Sequence, residues 1–342
     1  MAWSFKLASE AFPYHQEMWD DLNRANGNHL LLDSMFLGPL LRHFGNSHTL
    51  LGVCNDKRNP GMVLIEKTKF GFWQTFQPSQ APLGPLVLGN HEGVLDQIER
   101  LLHDLPGFAL AFSVTQQDPD STPFNVQENG KVKFLNYITT SKITLEGMFE
   151  EYWKRRGRNL RQNLAKQRRR LEEAGTKMNL LVTRDSRGVA ECLREYGRLE
   201  EAGWKGISGT AVGAESQQGR FYKEVFENFC QRNEGVIYQL TLNGRVVASD
   251  LCLERGKVMI VLKTTYDETL EKFSPSFLMR YEIIKTLFEE GHIAVLEFYG
   301  RVQDWHRKWT DELRPMFHVD FYRNSWIPRV RLIIKLIHIK KC

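Results

Sequence analysis

Five side chains able to move protons or hold anions fall close together in "AVLEFYGRVQDWHRKW": Glu297, Tyr299, Asp304, His306 and Lys308. A carboxylate can take the proton of an attacking nucleophile. A phenol, imidazole or ammonium can steady an oxyanion or return a proton to a leaving group. "AVLEFYG" reads as a strand, and open α/β sheets bind ligands beyond the carboxyl ends of their strands. Each of the five could equally serve as a surface salt-bridge partner, and Trp305-His306-Arg307 can simply cap a helix.

A second stretch, "EYWKRRGRNLRQNLAKQRRRLEEAG", carries nine Lys or Arg between Lys154 and Arg170 and no acid in that interval. Phe149, Trp153, Leu160, Leu164 and Leu171 recur at helical spacing, so one face of a basic helix over 147–174 is expected to be covered by protein. The rest of its circumference is positive, and so many like charges ask for an anion. Arg158, Arg161 and Arg168 are expected to steer an anionic substrate, a nucleotide, phosphosugar or tRNA end, from the rim of an inter-domain cleft. In "GWKGISGTA" the glycines and Lys205 make a short polar loop suited to close approach of a ligand. The same loop could be a plain turn with Trp204 plugging the core. Tyr222 in "GRFY" reads as core. "SPS" places Ser274 as a helix N-cap and Pro275 at the first helical position. No Ser or Cys stands in a GxSxG context or beside an evident base, so transfer through a covalent enzyme intermediate is not expected.

The elements that must hold these groups are mixed. "HQEMWDDLNRANG" and "EGVLDQIERLLHDL" read as helices. "HTLLGVC", "GMVLIEKT", "FGFWQTF" and "FALAFSVTQQ" read as strands, an α/β unit closing near residue 140. Beyond it come "FLNYITTSKITL" and "MNLLVTR" as strands and two helices, "RGVAECLREYGRLEEAGW" and "GRFYKEVFENFCQRN". A meander follows, turning at Asn243-Gly244 and Arg255-Gly256, then the helix after Ser274 and the strand before Gly300. The 342 residues, 42% of them hydrophobic and 11% aromatic, are enough for two cores. The 46 basic against 41 acidic residues give +5, which excludes a globally basic nucleic-acid coat. The five cysteines are scattered, without CxxC or His-paired spacing, so neither a disulfide framework nor a zinc site is expected. The N-terminus lacks a signal-peptide core, and no apolar run reaches the ~18 residues of a spanning helix. A cytoplasmic protein is expected.

Five segments resemble, in order and spacing, the acetyltransferases grouped under cellulose biosynthesis within the GNAT superfamily: "LEEAGWKGISGTA", "GRFYKEVFENF", "LTLNGRVVASDLCL", "LKTTYDETLEKFSPSFLMRYEIIKTLFEEG" and "LEFYGRVQDWHRKWTDELR". The resemblance covers about residues 145 to 312, and the Fem-type aminoacyltransferases share the layout. It implies an α/β (α+β) fold of two GNAT-like domains, each a mixed twisted sheet flanked by helices. Residues 1–140 would be a degenerate copy and 141–325 the acyltransferase domain. It also implies an N- or O-acyltransferase using acyl-CoA and no metal, with direct transfer to an amine or hydroxyl of a sugar, lipid-linked or cell-envelope precursor. Lys263, Ser274, Ser276 and Phe277 would lie around the donor. Glu200, Trp204, Lys205 and Tyr266 would contact the acceptor. Glu297, Tyr299, Asp304 and Lys308 would carry the chemistry, with Lys308 on phosphate. The phosphate loop departs from the superfamily pattern: Glu271 stands in the Arg/Gln place, and Ser274 and Ser276 stand in glycine places. An aminoacyl-tRNA donor, or a non-catalytic scaffold of a polysaccharide-assembly complex, are the alternatives.

The segment "WIPRVRLIIKLIHIKKC", assigned to a tail over 326–342, supports two readings. As a helix it sets Val330, Ile333, Ile334 and Ile337 against Arg331, Lys335, His338 and Lys341, a pattern suited to peripheral contact of 329–342 with the inner face of the plasma membrane. As a strand it would complete the N-terminal domain.

Overall fold

The computed structural model describes residues 2–89, 93–121, 127–202, 212–213 and 215–328. Contacts divide the chain into two compact units. Unit 1 runs to Thr139 and resumes at Pro315, and unit 2 is Thr140–Arg314. The strands are β1 (Trp3–Leu7), β2 (Leu50–Cys54), β3 (Gly61–Lys69), β4 (Phe72–Thr75), β5 (Leu86–Leu88), β6 (Ala111–Gln117), β7 (Val132–Thr144), β8 (Met178–Thr183), β9 (Gly235–Leu242), β10 (Arg245–Arg255), β11 (Val258–Tyr266), β12 (Val295–Phe298) and β13 (Leu313–Tyr322). The helices are α1 (Ala8–Ala11), α2 (Gln16–Ala25), α3 (Ser34–Phe44), α4 (Val94–Asp104), α5 (Phe149–Arg155), α6 (Arg158–Glu173), α7 (Val189–Glu201), α8 (Gln217–Gln231), α9 (Pro275–Glu290) and α10 (Asp304–Trp309). Among the described residues no helix is long and apolar enough to cross a membrane.

The sheet of unit 1 is ordered β1-β2-β3-β4-β6-β13, with β5 on β3. Consecutive residues Met62, Val63, Leu64 and Ile65 of β3 are all buried, the signature of a strand covered on both faces. Helix α4 turns Val94, Ile98, Leu101 and Leu102 onto Trp73, Phe112, Val114 and Phe321. Strands β4 and β6 run parallel from Phe72↔Ala111 to Gln74↔Ser113 and then part. The gap is laced by the chain itself. The hydroxyls of Thr75 and Thr115 meet at 2.5 Å, and the Thr115 N–H donates to Thr75 Oγ1 at 3.0 Å. The Thr115 carbonyl accepts from the Gly84 N–H at 3.1 Å and from Gln117 Nε2 at 2.7 Å.

Unit 2 orders its strands β7-β12-β11-β10-β9-β8. Strands β9 and β10 turn on Asn243 and Gly244, whose φ values of 50° and 84° belong to the tight hairpin turn that Asn-Gly favours. Strands β11 and β12 are parallel from Val258↔Val295 to Val261↔Phe298, where β12 ends and β11 continues alone on that edge. On its other edge β11 pairs Lys263 with Leu251 and Val261 with Cys252, which leaves Leu262 unmatched. Such a bulge bends a strand and re-aims the residues beyond it. The bend therefore falls immediately after the last pairing with β12, and it opens the gap. The core beneath is built from Leu160, Leu164 and Leu171 of α6, Leu278, Ile283 and Leu287 of α9, and the inward side chains of β9 to β12.

The basic stretch expected as one helix is two. Arg156 and Gly157 are extended between α5 and α6. Phe149, Leu160, Leu164 and Leu171 are nonetheless buried in one core, with Trp153 packed against it. Strands β1 and β13 and helix α3 were not anticipated from local pattern. The segments Trp204–Lys205 and 329–342 lie outside the described residues.

The lacing of unit 1 makes a steric prediction. A Cβ on Gly84 would overlap the Thr115 carbonyl and stand 2.5 Å from Thr75 Oγ1. Gly84→Ala should destabilise the protein by about 1–3 kcal/mol, as overpacking does, read as a lower urea midpoint. An unchanged midpoint would mean that the gap is not tightly filled.

Candidate active site

A cavity of about 210 Å³ lies beside the part of β11 past its last pairing with β12. Thr264 and Tyr266 of β11 and Glu268 just beyond it form one wall, and Glu200 of α7 another. Phe277 and Arg280 of α9 and Trp305 and Trp309 of α10 also line it. Arg280 is 2% exposed and its guanidinium stands 2.7 Å from Asp250, which is fully buried on β10. Burial pushes the Asp250 carboxyl upward and the Arg280 charge opposes the shift. The guanidinium also lies over the Phe298 ring, 5.1 Å from its centroid. Because Arg280 is answered by Asp250, the charge it brings to the cavity is offset. Glu200 and Glu268 then dominate the lining. Glu200 is 2% exposed, accepting from the Tyr196 hydroxyl at 3.0 Å and the Val212 N–H at 2.8 Å. Burial and the neighbouring Glu200 carboxylate raise the Tyr196 phenol well above its ordinary value, so it stays a donor.

A second cavity opens on the other side of Phe277, with opposite character. It measures about 680 Å³ and is lined by Arg155, Arg156, Arg307 and Lys308, with Asp311 as the acid. Arg156 donates to the Trp309 carbonyl at 2.6 Å, and its Nε is buried without a hydrogen-bond partner among the described residues. Tyr152 donates to the same carbonyl at 2.8 Å, so the end of α10 is tied to α5. Lys308 Nζ lies 5.0 Å from the centroid of Phe277, which stacks on Trp309 at 5.8 Å.

The start of α9 faces this basic cavity through Ser274 and Phe277. Ser274 holds the N-cap position in a left-handed conformation, φ 54° and ψ 54°, and its side chain caps nothing. Its Oγ instead accepts from Asn163 of α6 at 3.3 Å. Pro275 has no N–H to offer, and the Phe277 and Leu278 amides both donate to the Ser274 carbonyl at 3.0 Å. The Ser276 amide remains, at the positive end of a 16-residue helix where anions are favoured.

Of the side chains singled out from sequence, Glu200, Tyr266, Ser276 and Phe277 come together around the acidic cavity, and Ser274, Phe277 and Lys308 around the basic one. Lys263 follows the bulge and lies 5.6 Å from the Tyr222 ring, lining neither cavity. Glu297 is buried and pairs bidentately with Arg314 at 3.1 and 2.7 Å. Tyr299 lies under the same guanidinium at 5.3 Å. Asp304 is exposed at the first position of α10. Arg158 is exposed. Arg161 donates to the Arg156 carbonyl at 3.1 Å, and Arg168 pairs with Glu282 at 2.8 Å. The basic cavity takes Arg155, Arg156 and Arg307 in place of these three arginines. Gly157 in the middle of the run was the available signal, since a helix break there turns Arg156 inward. Arg280 and Asp250 carry no local signal, because each is answered by the other across two separate elements.

Each unit carries a parallel strand pair that parts, closed by the chain's own groups in unit 1 and open onto a cavity in unit 2, the plan of two GNAT-like units. Residues 158–307, which lie within unit 2, match the family described as acetyltransferase (GNAT) domain. No curated protein matches the chain in sequence. Among solved structures, FemX superposes with a TM-score of 0.60 at 10% identity, covering 92% of this chain and 98% of that one. L-PGS from Bacillus licheniformis gives 0.54 at 13% identity, covering 93% and 95%. The C-terminal domain of a protein assigned as a lysylphosphatidylglycerol synthetase from Agrobacterium fabrum gives 0.55 at 13% identity, covering 92% and 94%. These likenesses concern the fold.

His306 shows how α10 is set. Its Nδ1 accepts from the Gln303 N–H at 2.9 Å in a capping box, and its ring stacks on Trp305 at 3.5 Å. Burial and the Arg280 charge lower its pKa to about 4. The unfolded chain takes up this proton first as pH falls. Stability is therefore complete above about pH 6.5, the ordinary imidazole value, and is lost as pH drops toward 4. His306→Asn, which keeps an acceptor near the Nδ1 position, should flatten that part of the stability profile measured by urea unfolding. An unaltered acid limb would exclude His306 as a source of it.

Proposed function

We propose that unit 2 transfers an acyl group directly from a phosphate-bearing activated donor, acyl-CoA, to an amine on a cell-envelope or exopolysaccharide precursor. The observation that carries the reading is the pair of oppositely charged cavities separated by Phe277 at the first turn of α9. Arg155, Arg156, Arg307 and Lys308 hold the donor's phosphates, with the Ser274 hydroxyl as a further donor of hydrogen bonds. The acyl arm follows the gap between β11 and β12. The acidic, aromatic cavity takes the acceptor's ammonium group, because carboxylates and ring faces favour a cation. Trp204 and Lys205 follow Glu200 in sequence and are kept as acceptor contacts on that ground.

In the step itself Glu200 accepts a proton from the ammonium. The freed amine attacks the acyl carbonyl and an N–C bond forms; the bond to the leaving thiolate then breaks, and the second proton shed by the nitrogen passes through solvent to that thiolate. Backbone N–H groups of β11 past the Leu262 bulge meet the oxyanion in this reading. Unit 1, whose corresponding gap is laced by Thr75, Thr115, Gly84 and Gln117, takes no donor. A place at the inner face of the plasma membrane, through 329–342, belongs to this reading.

A second reading, an aminoacyl-tRNA donor, is favoured by one observation. The exposed Lys154, Arg158, Lys166 and Arg170 continue the charge of the basic cavity along α5 and α6.

With acyl-CoA and an amine acceptor, initial rates should give the intersecting pattern of a ternary complex. Glu200→Gln should lower kcat/KM for the acceptor by about 10²-fold or more, as loss of a general base does, with the donor KM unchanged. Lys308→Ala should raise the donor KM about tenfold by removing one charge-assisted contact. Parallel kinetics, or an acyl group trapped on the protein in mass spectrometry, would refute direct transfer.

A further inference from the structure

Unit 1 carries a surface that the acyltransfer reading does not use. Three stretches meet at the end of its sheet where β4 and β6 begin: Lys67–Phe72, Leu105–Leu110 and Arg323–Pro328. The Gly71 carbonyl accepts from the Leu110 N–H at 2.6 Å, and the Leu110 carbonyl accepts from the Arg323 N–H at 2.9 Å. Each stretch presents an aromatic ring to water, with Phe70 78% exposed and Phe108 and Trp326 56% exposed. Single exposed apolar residues are ordinary, but three large rings on adjoining segments form a patch. Cations accompany them. Lys67 Nζ lies 5.7 Å from the Phe70 ring, Lys69 Nζ 5.0 Å from Phe72, and the Arg323 guanidinium 5.4 Å from Phe108. The three stretches contain no Asp or Glu.

We infer that this end of unit 1 docks on an anionic lipid surface, with Phe70, Phe108 and Trp326 at headgroup depth and Lys67, Lys69 and Arg323 against lipid phosphates. The Trp ring, with its N–H, settles where apolar chains meet water, Phe rings bury their apolar area beside it, and long cationic side chains lay their stems on apolar surface while the charge reaches phosphate. Attraction to an anionic leaflet adds to this for each Lys or Arg. A single-stranded nucleic acid could also stack on such rings. The sequence beyond Pro328 favours lipid, since it holds seven aliphatic residues, five Lys or Arg and no acid. Aliphatic side chains have a place in a bilayer surface and none against a phosphodiester backbone.

The test uses the full chain and vesicle cosedimentation, independently of any transfer assay. Wild-type protein should sediment with phosphatidylcholine vesicles containing about 30% phosphatidylglycerol, bind pure phosphatidylcholine far less, and release as salt screens the charge. The triple variant Phe70→Ser, Phe108→Ser, Trp326→Ser should need at least about tenfold more lipid for half-binding, with its melting temperature unchanged. Phe70→Glu, at the most exposed ring, is the second variant and should weaken binding in the same direction. Absence of wild-type binding to anionic vesicles at low salt would overturn the inference. So would equal binding by variants that remain folded, or capture of a single-stranded oligonucleotide in preference to vesicles.

Discussion

A parallel strand pair that parts leaves backbone N–H and carbonyl groups facing a gap, and such groups must find partners. Each unit meets that constraint once, in opposite ways. In unit 1 the gap between β4 and β6 is answered by the chain: Thr75, Gln117 and Gly84 converge on Thr115, and the opening is spent. In unit 2 the bulge at Leu262 turns β11 away from β12, and the space beyond is walled by α7, α9 and α10 but not filled. One plan used twice thus yields one sealed gap and one open one.

The surroundings of the open gap are sorted by charge. Arg280 is neutralised by Asp250 beneath it, so the cavity toward α7 takes its character from Glu200 and Glu268. The cavity toward α5 takes its character from four cations. Phe277 belongs to both, with Lys308 Nζ over its ring and Trp309 stacked on it. The tie of Tyr152 and Arg156 to the Trp309 carbonyl fixes α10 to the basic wall. Neighbouring cavities of opposite sign suit a reaction whose two substrates differ in sign.

Much of this was legible in the sequence where chemistry is local. The Asn243-Gly244 turn, the helix start at Ser274-Pro275 and the apolar face of Leu160, Leu164 and Leu171 follow from turn chemistry and periodicity. The features that were missed depend on distant partners or on absent contrast. Strand β13 pairs with β6 from the far end of the chain, and no local pattern encodes that register. Helix α3 buries Phe36, Leu37, Gly38, Pro39, Leu40 and Leu41 in succession, so it shows no period, and Gly38-Pro39 reads as a breaker. Arg168 reads as a free charge until Glu282, on another helix, is seen beside it. Glu297 reads as a catalytic carboxylate until Arg314 is seen to engage both its oxygens. His306 is the cap that its Trp-His-Arg context allows.

The central claim is that one gap accepts a donor and the other does not. Amide hydrogen exchange with and without saturating coenzyme A tests it most directly, because exchange reads backbone groups at both gaps in one experiment. The account predicts slowed exchange at the end of β11 and the first turn of α9, with no change at Thr75–Gln77 and Thr115–Gln117. Protection at the unit 1 gap, or none at residues 263–278 under saturation, would contradict it.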